Sequence, residues 1–438
     1  MAGRDDRESH LRVYLNKSEY YSEDGTVKLF SEGVLSDEAR ERSRVIKDAF
    51  SEGFLDNLVA SLSKDPSSFE VDTISEKAMA SLDGLVESVT SEAGRALIGL
   101  SVMQLSIKSI EPRQSIRLHK GTVKGNSFSW REGVSMRNLD KQYVTPVLRK
   151  HNLNIINADG VMMTRSLAEN YPYTLLYKPK LKGARKEWLQ LVEEVEERRT
   201  APIETLKYLL SKLMNAASDF TDKVEVLFSL LEKNLVKISN KEQAFNFVSS
   251  HFDDSKFAAR LLEISMHALT LLAVESDVYG CAEIMPLSQM RSANKKHGNI
   301  GDIEILVDDQ IVISWDAKYG KGNLREEIEE VAEKIVHHES VKKVGFVTTA
   351  SIERIEEISS RISDIENLHG LTLEILSFSD WVDRIYDSIL QTGALTEEEV
   401  SRKWIDMYCR YIGQKRRDLA PIDEPCLKWV EELIKKMT

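Results

Sequence analysis

Two aspartates and a lysine stand at the ends of two apolar runs. Asp302 precedes the run Ile303–Val307, and Asp316 and Lys318 close the run that begins at Ile311. Carboxylate oxygens are the ligands that hard cations such as Mg²⁺ take from proteins, with waters and phosphate oxygens completing the shell. A lysine beside such a cation would face the same phosphate. The residue types therefore point to metal-assisted chemistry on a phosphate ester.

These side chains converge if the two apolar runs form a β-hairpin. Both runs are rich in β-branched residues, and the polar residues Asp308-Asp309-Gln310 between them predict the turn. A turn centred near Asp309 sets Asp302 opposite Asp316, where cross-strand Cβ atoms lie about 5 Å apart. Because side chains alternate along a strand, Lys318 then emerges on the side of Asp316. The pattern predicts two adjacent carboxylates with an ammonium group beside them.

Ordinary surface charges at a hairpin end are the alternative interpretation, with Lys318 paired to one aspartate. The nearly continuous apolar run from Ile311 to Trp315 favours instead a central strand that is buried on both faces. The pattern downstream predicts a helix capped by Asn323 and ending near His338, a strand at 341–349, a helix at 352–366, a strand at 371–376 and a helix capped by Ser377 or Ser379.

The arrangement of Asp302 with Asp316-Ala317-Lys318 resembles the PD-(D/E)XK nuclease superfamily, and the resemblance covers about Lys256 to Leu390. Gly301 stands where that motif often has proline. The resemblance implies an α/β core, within an α+β protein overall, whose mixed central sheet is flanked by helices. It implies Mg²⁺ as cofactor, held by Asp302, Asp316 and the backbone carbonyl of Ala317. Lys318 would position or help deprotonate the attacking water.

A predicted amphipathic helix at 256–273 precedes the hairpin. In the resembled superfamily such a helix often contributes an acid to the site, and Glu263 would be that catalytic residue. The alternative is a solvated Glu263 paired with Arg260, an i,i+3 pair that contributes only a few tenths of a kcal/mol. His267 lies one turn further and is expected to be structural. The polar stripe of this helix is Lys256, Arg260, Glu263, His267 and Thr270.

Composition places the chain among soluble globular proteins. Its 438 residues, 42% hydrophobic and 30% charged, are enough for two or three domains. The longest apolar stretches, such as 269–274, are far too short to span a bilayer, and 1–8 hold no apolar signal region. We expect a cytoplasmic protein that does not bind membranes. Its three cysteines are too few and too scattered for a disulfide framework or a four-ligand zinc site.

Charge is distributed unevenly along the chain. The formal net charge is −12, yet residues 101–190 contain sixteen Lys or Arg and six Asp or Glu, which gives 16 − 6 = +10. Contacts between basic side chains and phosphates supply most non-specific binding to nucleic acid. The segment therefore predicts a surface that binds double-stranded DNA.

The basic segment also has a helix-then-hairpin pattern typical of a winged helix. Residues 136–152 are helix-compatible but interrupted by Pro146, which predicts two short helical pieces with Thr145 outside them. A turn at 157–160 separates two short apolar strands within 153–164. A domain whose basic residues merely cover its surface is the alternative.

Individual basic residues receive different predicted roles. The candidate base readers are Arg137, Asn138 and Lys141, and the candidate phosphate contacts are Arg149, Lys150 and Arg165. Lys296, in a polar loop before the hairpin, would clamp a phosphate or simply be solvated. A second basic cluster is formed by Lys178, Lys180, Lys182, Arg185 and Lys186, preceded by Tyr171, Tyr173 and Tyr177, which are either part of the interface or part of the core.

These patterns predict five regions. They are a helical N-terminal region (1–100), a basic DNA-recognition domain with the winged helix as its predicted fold (101–190), a helical connector or dimer surface (191–250), the nuclease domain (251–395) and C-terminal helices (396–438). The resemblance implies a Mg²⁺-dependent type II restriction endonuclease, acting as a homodimer beside a protective DNA methyltransferase. The alternatives are a repair or structure-selective nuclease of the same superfamily, a DNA-binding regulator and a non-catalytic assembly protein.

Overall fold

The computed structural model of the chain describes residues 8–22, 25–87, 92–119, 130–153, 160, 171–179, 181, 183–256, 258–287, 299–415 and 425–438. The chain divides into two compact units, Met1–Asp219 and Phe220–Thr438. In the described ranges no helix is both long enough and apolar enough to cross a membrane.

The elements are numbered in chain order. The strands are β1 (His10–Val13), β2 (Lys17–Tyr21), β3 (Val27–Ser31), β4 (Glu283–Ile284), β5 (Ile303–Val307), β6 (Gln310–Lys318), β7 (Lys343–Thr348) and β8 (Thr372–Ser377). The α-helices of the first unit and its boundary are α1 (Asp37–Ser51), α2 (Phe54–Lys64), α3 (Glu76–Glu87), α4 (Glu92–Ile110), α5 (Met136–Leu139), α6 (Thr145–Lys150), α7 (Arg185–Glu196) and α8 (Pro202–Leu235). Those that follow are α9 (Lys241–Asp254), α10 (Ala258–Glu275), α11 (Arg325–Ile335), α12 (Ile355–His369), α13 (Phe378–Thr392), α14 (Glu397–Arg410) and α15 (Cys426–Met437).

The first unit opens with a three-stranded antiparallel sheet of order β1-β2-β3. The prediction of a helical N-terminal region at 1–100 included no strands and was therefore incomplete. Alternation of side chains explains these strands. Tyr20 of β2 and Phe30 of β3 are buried against Leu118 and Trp130, while the residues on either side of each in its strand are more exposed. The helices α1 to α7 share a separate apolar core, to which α2 contributes Leu55, Val59 and Leu62 as its spacing predicts.

The helix-compatible segment at 136–152 is continuous where two pieces were predicted. A π-helical turn at Asp140–Val144 joins α5 to α6. Thr145 is helical, and Pro146 follows it in α6 directly after the π turn. The break predicted at Thr145 was therefore wrong, because the wider π turn accommodates the proline without ending the helix.

The second unit contains a five-stranded mixed sheet of order β4-β5-β6-β7-β8. Strands β4, β5 and β6 pair antiparallel, and β6, β7 and β8 pair parallel. The predicted α/β architecture with a mixed sheet and a central hairpin strand is confirmed at this level. Ser377 caps α13 as predicted. Asn323 is not the cap of α11, because Leu324 occupies the cap position. The Asn323 side chain accepts a 3.4 Å hydrogen bond from the N–H of Arg325.

The two faces of this sheet are covered by different helices. On one face Ile303, Trp315 and Val347 pack in one core with α10, α13 and α14. On the other face Val344 and Phe346 pack with residues of α11 and α12. We call the latter the α11 face of the sheet.

Trp315 lies over the backbone of β7 on the face opposite to α11. A Cβ atom added to Gly345, its register partner, would overlap the indole ring. Gly345→Ala is therefore expected to lower the free energy of unfolding by about 1–3 kcal/mol through overpacking, measured by urea denaturation. The loss should be smaller in a Trp315→Phe background, and an equal loss there would show that the ring is not the cause.

Candidate active site

The β5–β6 hairpin carries the predicted site. A two-residue turn joins the strands, with Asp308 and Asp309 at φ values of 50° and 60°. This left-handed pair is typical of the type I′ turn that matches the strand twist. The register beside the turn pairs Leu306 with Ile311, but beyond a bulge it pairs Ile305 with Ile313. The bulge places one extra residue, Val312, in β6.

Below the bulge the register pairs Ile303 with Trp315, so one further step sets Asp302 opposite Asp316. The Asp302 side chain accepts a 3.0 Å hydrogen bond from the N–H of Ala317, and it lies close enough to Asp316 to share a hydrogen bond. The ammonium group of Lys318 lies 2.6 Å from Asp316 Oδ2. The convergence of these three side chains is confirmed.

Strand alternation puts the site on the α11 face of the sheet. Asp316 is the register partner of Phe346, which belongs to that face. The Asp316 side chain is 11% exposed and that of Lys318 is 23% exposed. The site therefore lies at the end of a buried strand, and Lys318 is more accessible to solvent than Asp316.

The buried carboxylates oppose each other electrostatically. Burial and the neighbouring Asp302 carboxylate hold the pKa of Asp316 well above its usual range, and Lys318 only partly offsets them. Burial disfavours the charge on Lys318, but Asp316 and Asp302 together raise the pKa of Lys318 above its usual range. The lysine thus remains an ammonium group, and the aspartate pair has an unmet requirement for positive charge.

Steric crowding explains why glycine occupies position 301, where the resembled motif often has proline. A Cβ atom there would lie 2.6 Å from Ser314 Oγ and 2.7 Å from the carbonyl oxygen of Trp315. No side chain of any kind fits so close to β6. The absence of proline is therefore required by the tight approach of the chain that leads into Asp302.

The donor set fits a hard divalent cation. Asp302 and Asp316 provide adjacent anionic oxygens whose repulsion a cation would relieve. Because the N–H of Ala317 points to Asp302, its carbonyl points to the same side of the strand and supports the predicted third ligand. Across the ranges that the structure describes, no three His, Cys, Asp or Glu side chains are grouped to hold a metal. Any cation here would rest on two carboxylates plus backbone and solvent oxygens.

Glu263 is not brought together with these residues. It is buried in α10 and forms an ion pair with Arg260, and α10 packs on the face of the sheet opposite to α11. The predicted polar stripe of this helix is also buried except for Lys256, which is exposed and precedes α10, and His267 Nε2 hydrogen-bonds the carbonyl of Met285 at 2.9 Å. Helical periodicity identified the stripe correctly but gave no information on which face of the sheet it meets. The catalytic role predicted for Glu263 has no support from its position.

The structure places another acid near the site that we did not single out. Glu327 lies in the first turn of α11, forms an ion pair with Lys321 and contributes to the raised pKa of Lys318. Its side chain is mostly buried. The signal was available, because Glu327 follows the strand closely at the start of the helix that covers the site.

The predicted base readers lie at the surface of the first unit. Arg137, Asn138 and Lys141 are exposed along α5 and the π turn. Lys150 is exposed but forms a 2.8 Å ion pair with Asp56 of α2, and Arg149 is half-buried. A phosphate contact by Lys150 would compete with its ion pair to Asp56.

Several predicted DNA contacts fall outside the described residues. These are Arg165, Lys180, Lys182 and Lys296, together with most of the hairpin predicted at 153–164. Of the tyrosines before the second basic cluster, Tyr173 and Tyr177 are buried against Trp188. The alternative that they belong to the core is confirmed for these two.

Part of the basic segment is neutralised inside the first unit. Arg117 is 1% exposed and donates to Glu193 at 2.8 Å and to Glu197 at 3.1 Å. Lys108 is also buried and lies 3.4 Å from Glu196. Acids of α7 and its end thus hold two of the basic residues that the charge count attributed to the surface.

A comparison with models of known protein families gives no match, and no curated protein is significantly similar to the chain.

The raised pKa of Asp316 predicts a pH dependence of stability. Because the folded protein holds that proton more tightly than the unfolded chain, the stabilisation is complete below the ordinary aspartate pKa of about 3.9 and is lost as pH rises towards the raised value. In metal-free buffer Asp316→Asn should therefore become progressively more stable than the wild type as pH rises. Thermal unfolding of both proteins between pH 4 and pH 8 checks this.

Asp254→Asn is the matched control for that series. Asp254 also lies 2.6 Å from a lysine, Lys436, but the Asp254 carboxylate is exposed and the ion pair lowers its pKa. This variant should lose stability relative to the wild type as pH rises through the acid range, the opposite sign. Parallel pH curves for the two variants would contradict the electrostatic assignment of Asp316.

Proposed function

We propose that the protein is a Mg²⁺-dependent endonuclease that hydrolyses phosphodiester bonds of DNA. The observation that carries this proposal is the buried Asp302–Asp316 pair with the Lys318 ammonium group 2.6 Å from Asp316 Oδ2. Two carboxylates beside a solvent-accessible lysine are the minimum set for binding a cation and a phosphate at one point.

Each residue would have a distinct role. Asp302 and Asp316 would hold Mg²⁺, and the Ala317 carbonyl would supply a further oxygen. When bound, Mg²⁺ would polarise the phosphate oxygens and stabilise the leaving oxygen. Lys318 remains protonated beside the carboxylates, so it would orient the attacking water and neutralise charge that develops on the phosphate. Its raised pKa favours these roles over that of a base.

The order of elements around the site supports assignment to the PD-(D/E)XK superfamily. A helix, three antiparallel strands, a helix and a parallel strand follow one another as α10, β4, β5, β6, α11 and β7. This is the order that the motif implies for a nuclease core. Within that superfamily the exposed Arg137, Asn138 and Lys141 favour a sequence-reading enzyme of the type II restriction class, which would act as a homodimer paired with a methyltransferase.

DNA cleavage tests the proposal directly. Purified wild-type protein should cut plasmid DNA in the presence of Mg²⁺ and not in EDTA. Asp316→Asn and Lys318→Met, which preserve size while removing charge, should each lower the cleavage rate by about 10²-fold or more, as the loss of a transition-state contact does. Gel analysis of supercoiled, nicked and linear DNA measures both the rate and the kind of cut.

Asp254→Asn again serves as the control, because it alters an aspartate–lysine pair of equal length at another place in the same unit. It should cut like the wild type. Cleavage that persists undiminished in Asp316→Asn would indicate a contaminating nuclease, and the absence of metal-dependent cutting across varied DNA would exclude the proposed activity.

Arg137 is expected to contribute to sequence choice. If it reads a base through two hydrogen bonds, Arg137→Ala should relax discrimination at one position of the site by about 1–3 kcal/mol. Lys150→Ala should instead weaken cutting of all sequences alike, and modestly, because Asp56 already occupies that lysine. Cleavage of a randomised DNA library measures both effects, and equal sequence-independent losses would remove the reading role from Arg137.

A further inference from the structure

Glu304 is a fully buried carboxylate at the second position of the site strand β5. The residue is 1% exposed and stands between two apolar neighbours, Ile303 and Ile305. Its register partner Ser314 lies on the α11 face, so Glu304 is on the same face as Asp302 and Asp316. A buried ionisable group is costly unless its contacts compensate for lost hydration.

Within the described ranges, Glu304 hydrogen-bonds the chain segment that precedes Asp302. Its Oε1 atom accepts hydrogen bonds from the N–H of Ile300 at 2.6 Å and of Gly301 at 3.5 Å. Lys334 of α11 donates to the carbonyl of Ile300 at 3.3 Å from the other side. Glu304 and Lys334 therefore both hydrogen-bond the backbone of Ile300, two residues before the metal-site aspartate.

Glu304 itself is not placed as a ligand. Its Oε1 atom is committed to the backbone, and its Oε2 atom is buried with no hydrogen-bond partner among the described residues. It also joins no group of metal-binding side chains within the described ranges. Burial raises the pKa of Glu304, and the nearby Asp302 carboxylate adds to the rise, while the backbone N–H groups and Lys334 oppose it.

We propose that Glu304 is a positioning residue, whose side-chain oxygen fixes the Ile300–Gly301 backbone and thereby directs the Asp302 carboxylate towards Asp316. The steric observation at Gly301 supports this step, because that backbone passes too close to β6 for any Cβ atom and requires an anchor to stay there. The functional consequence of this positioning rests on the proposed metal site. The effect of Glu304 on the position of Asp302 does not depend on that proposal.

The hydrogen bond from the Ala317 N–H to Asp302 provides a readout that needs neither metal nor DNA. In metal-free buffer, Glu304→Leu should lower the hydrogen-exchange protection of the Ala317 amide by about tenfold or more, because Asp302 moves away from it. Glu304→Gln keeps an acceptor oxygen for the two N–H groups and should retain most of the protection. NMR or peptide-resolved exchange measures both.

Glu374→Leu is the matched control, since it removes a glutamate from β8 of the same sheet, where the pairs are with Lys343 and Arg384. It should leave the Ala317 amide unchanged. If Glu304→Leu does not fold, Lys334→Met tests the same anchor from its other side and should lower the protection in the same direction. Full protection in Glu304→Leu, or equal loss in the leucine and glutamine variants, would overturn the inference.

A second measurement separates this inference from the proposed function. Isothermal titration with Mg²⁺ should show at least about tenfold weaker binding for Glu304→Leu than for Glu304→Gln. If exchange changes as expected but the wild type binds no Mg²⁺ and cuts no DNA, the positioning role stands and the nuclease proposal fails. If the wild type cuts DNA and all Glu304 variants protect Ala317 normally, the reverse holds.

Discussion

The site depends on one constraint, the register between β5 and β6. Side chains alternate faces along a strand, so a slip by one residue would send Asp302 to the face opposite Asp316 and Lys318. The register next to the two-residue turn, continued without interruption, would produce that slip: it pairs Val307 with Gln310 and would bring Asp302 opposite Trp315. The bulge corrects it by placing Val312 as an extra residue in β6. Bulges that re-aim a side chain beside functional sites are a recurrent feature of sheets.

The residues of the bulge are hydrogen-bonded by the segment that precedes β7. The carbonyl of Val312 accepts a 2.9 Å hydrogen bond from the N–H of Lys342, and that of Ile311 accepts one from Ser340 Oγ. These contacts satisfy carbonyl groups that the antiparallel ladder leaves unpaired there. The segment before β7 therefore stabilises the register of the hairpin, and through it the distance between two aspartates at the other end.

Sequence reasoning reached the hairpin, its turn and the three converging side chains, because each follows from local alternation and turn chemistry. It placed Asp302 opposite Asp316 by assuming a regular ladder about Asp309, and the outcome was right although the bulge was not foreseen. A bulge depends on the hydrogen bonds of the next strand, and these are not visible in the local pattern. The same limit applies to Glu263, whose helical stripe was predicted correctly but whose side of the sheet depends on chain topology.

Glu304 illustrates a different limit. The sequence shows a second acid, Glu304, two positions after Asp302, yet alternation alone treats Glu304 as an outward-facing residue of an exposed strand. Burial reverses that interpretation, since the covering helix α11 turns this face of the sheet into interior. Whether an acid on a strand face is exposed or buried depends on the helix that covers that face, and the pattern of a single sequence does not specify the covering helix.

The charge count shows how long-range pairing alters a functional argument. A formal net charge of +10 in 101–190 suggests a broad basic surface. Arg117 and Lys108, however, form ion pairs with acids of α7 and its end, and Lys150 forms one with Asp56. Buried ion pairs contribute nothing to a surface potential, since the charges cancel where solvent and ligand are excluded. For the proposed contact with DNA, electrostatic attraction by the described residues would then come from fewer side chains than the formal +10 suggests, the exposed Lys141 among them. Because a smaller basic surface gives weaker non-specific binding, a DNA complex as proposed would have to obtain more of its affinity from base contacts than from contacts along the backbone.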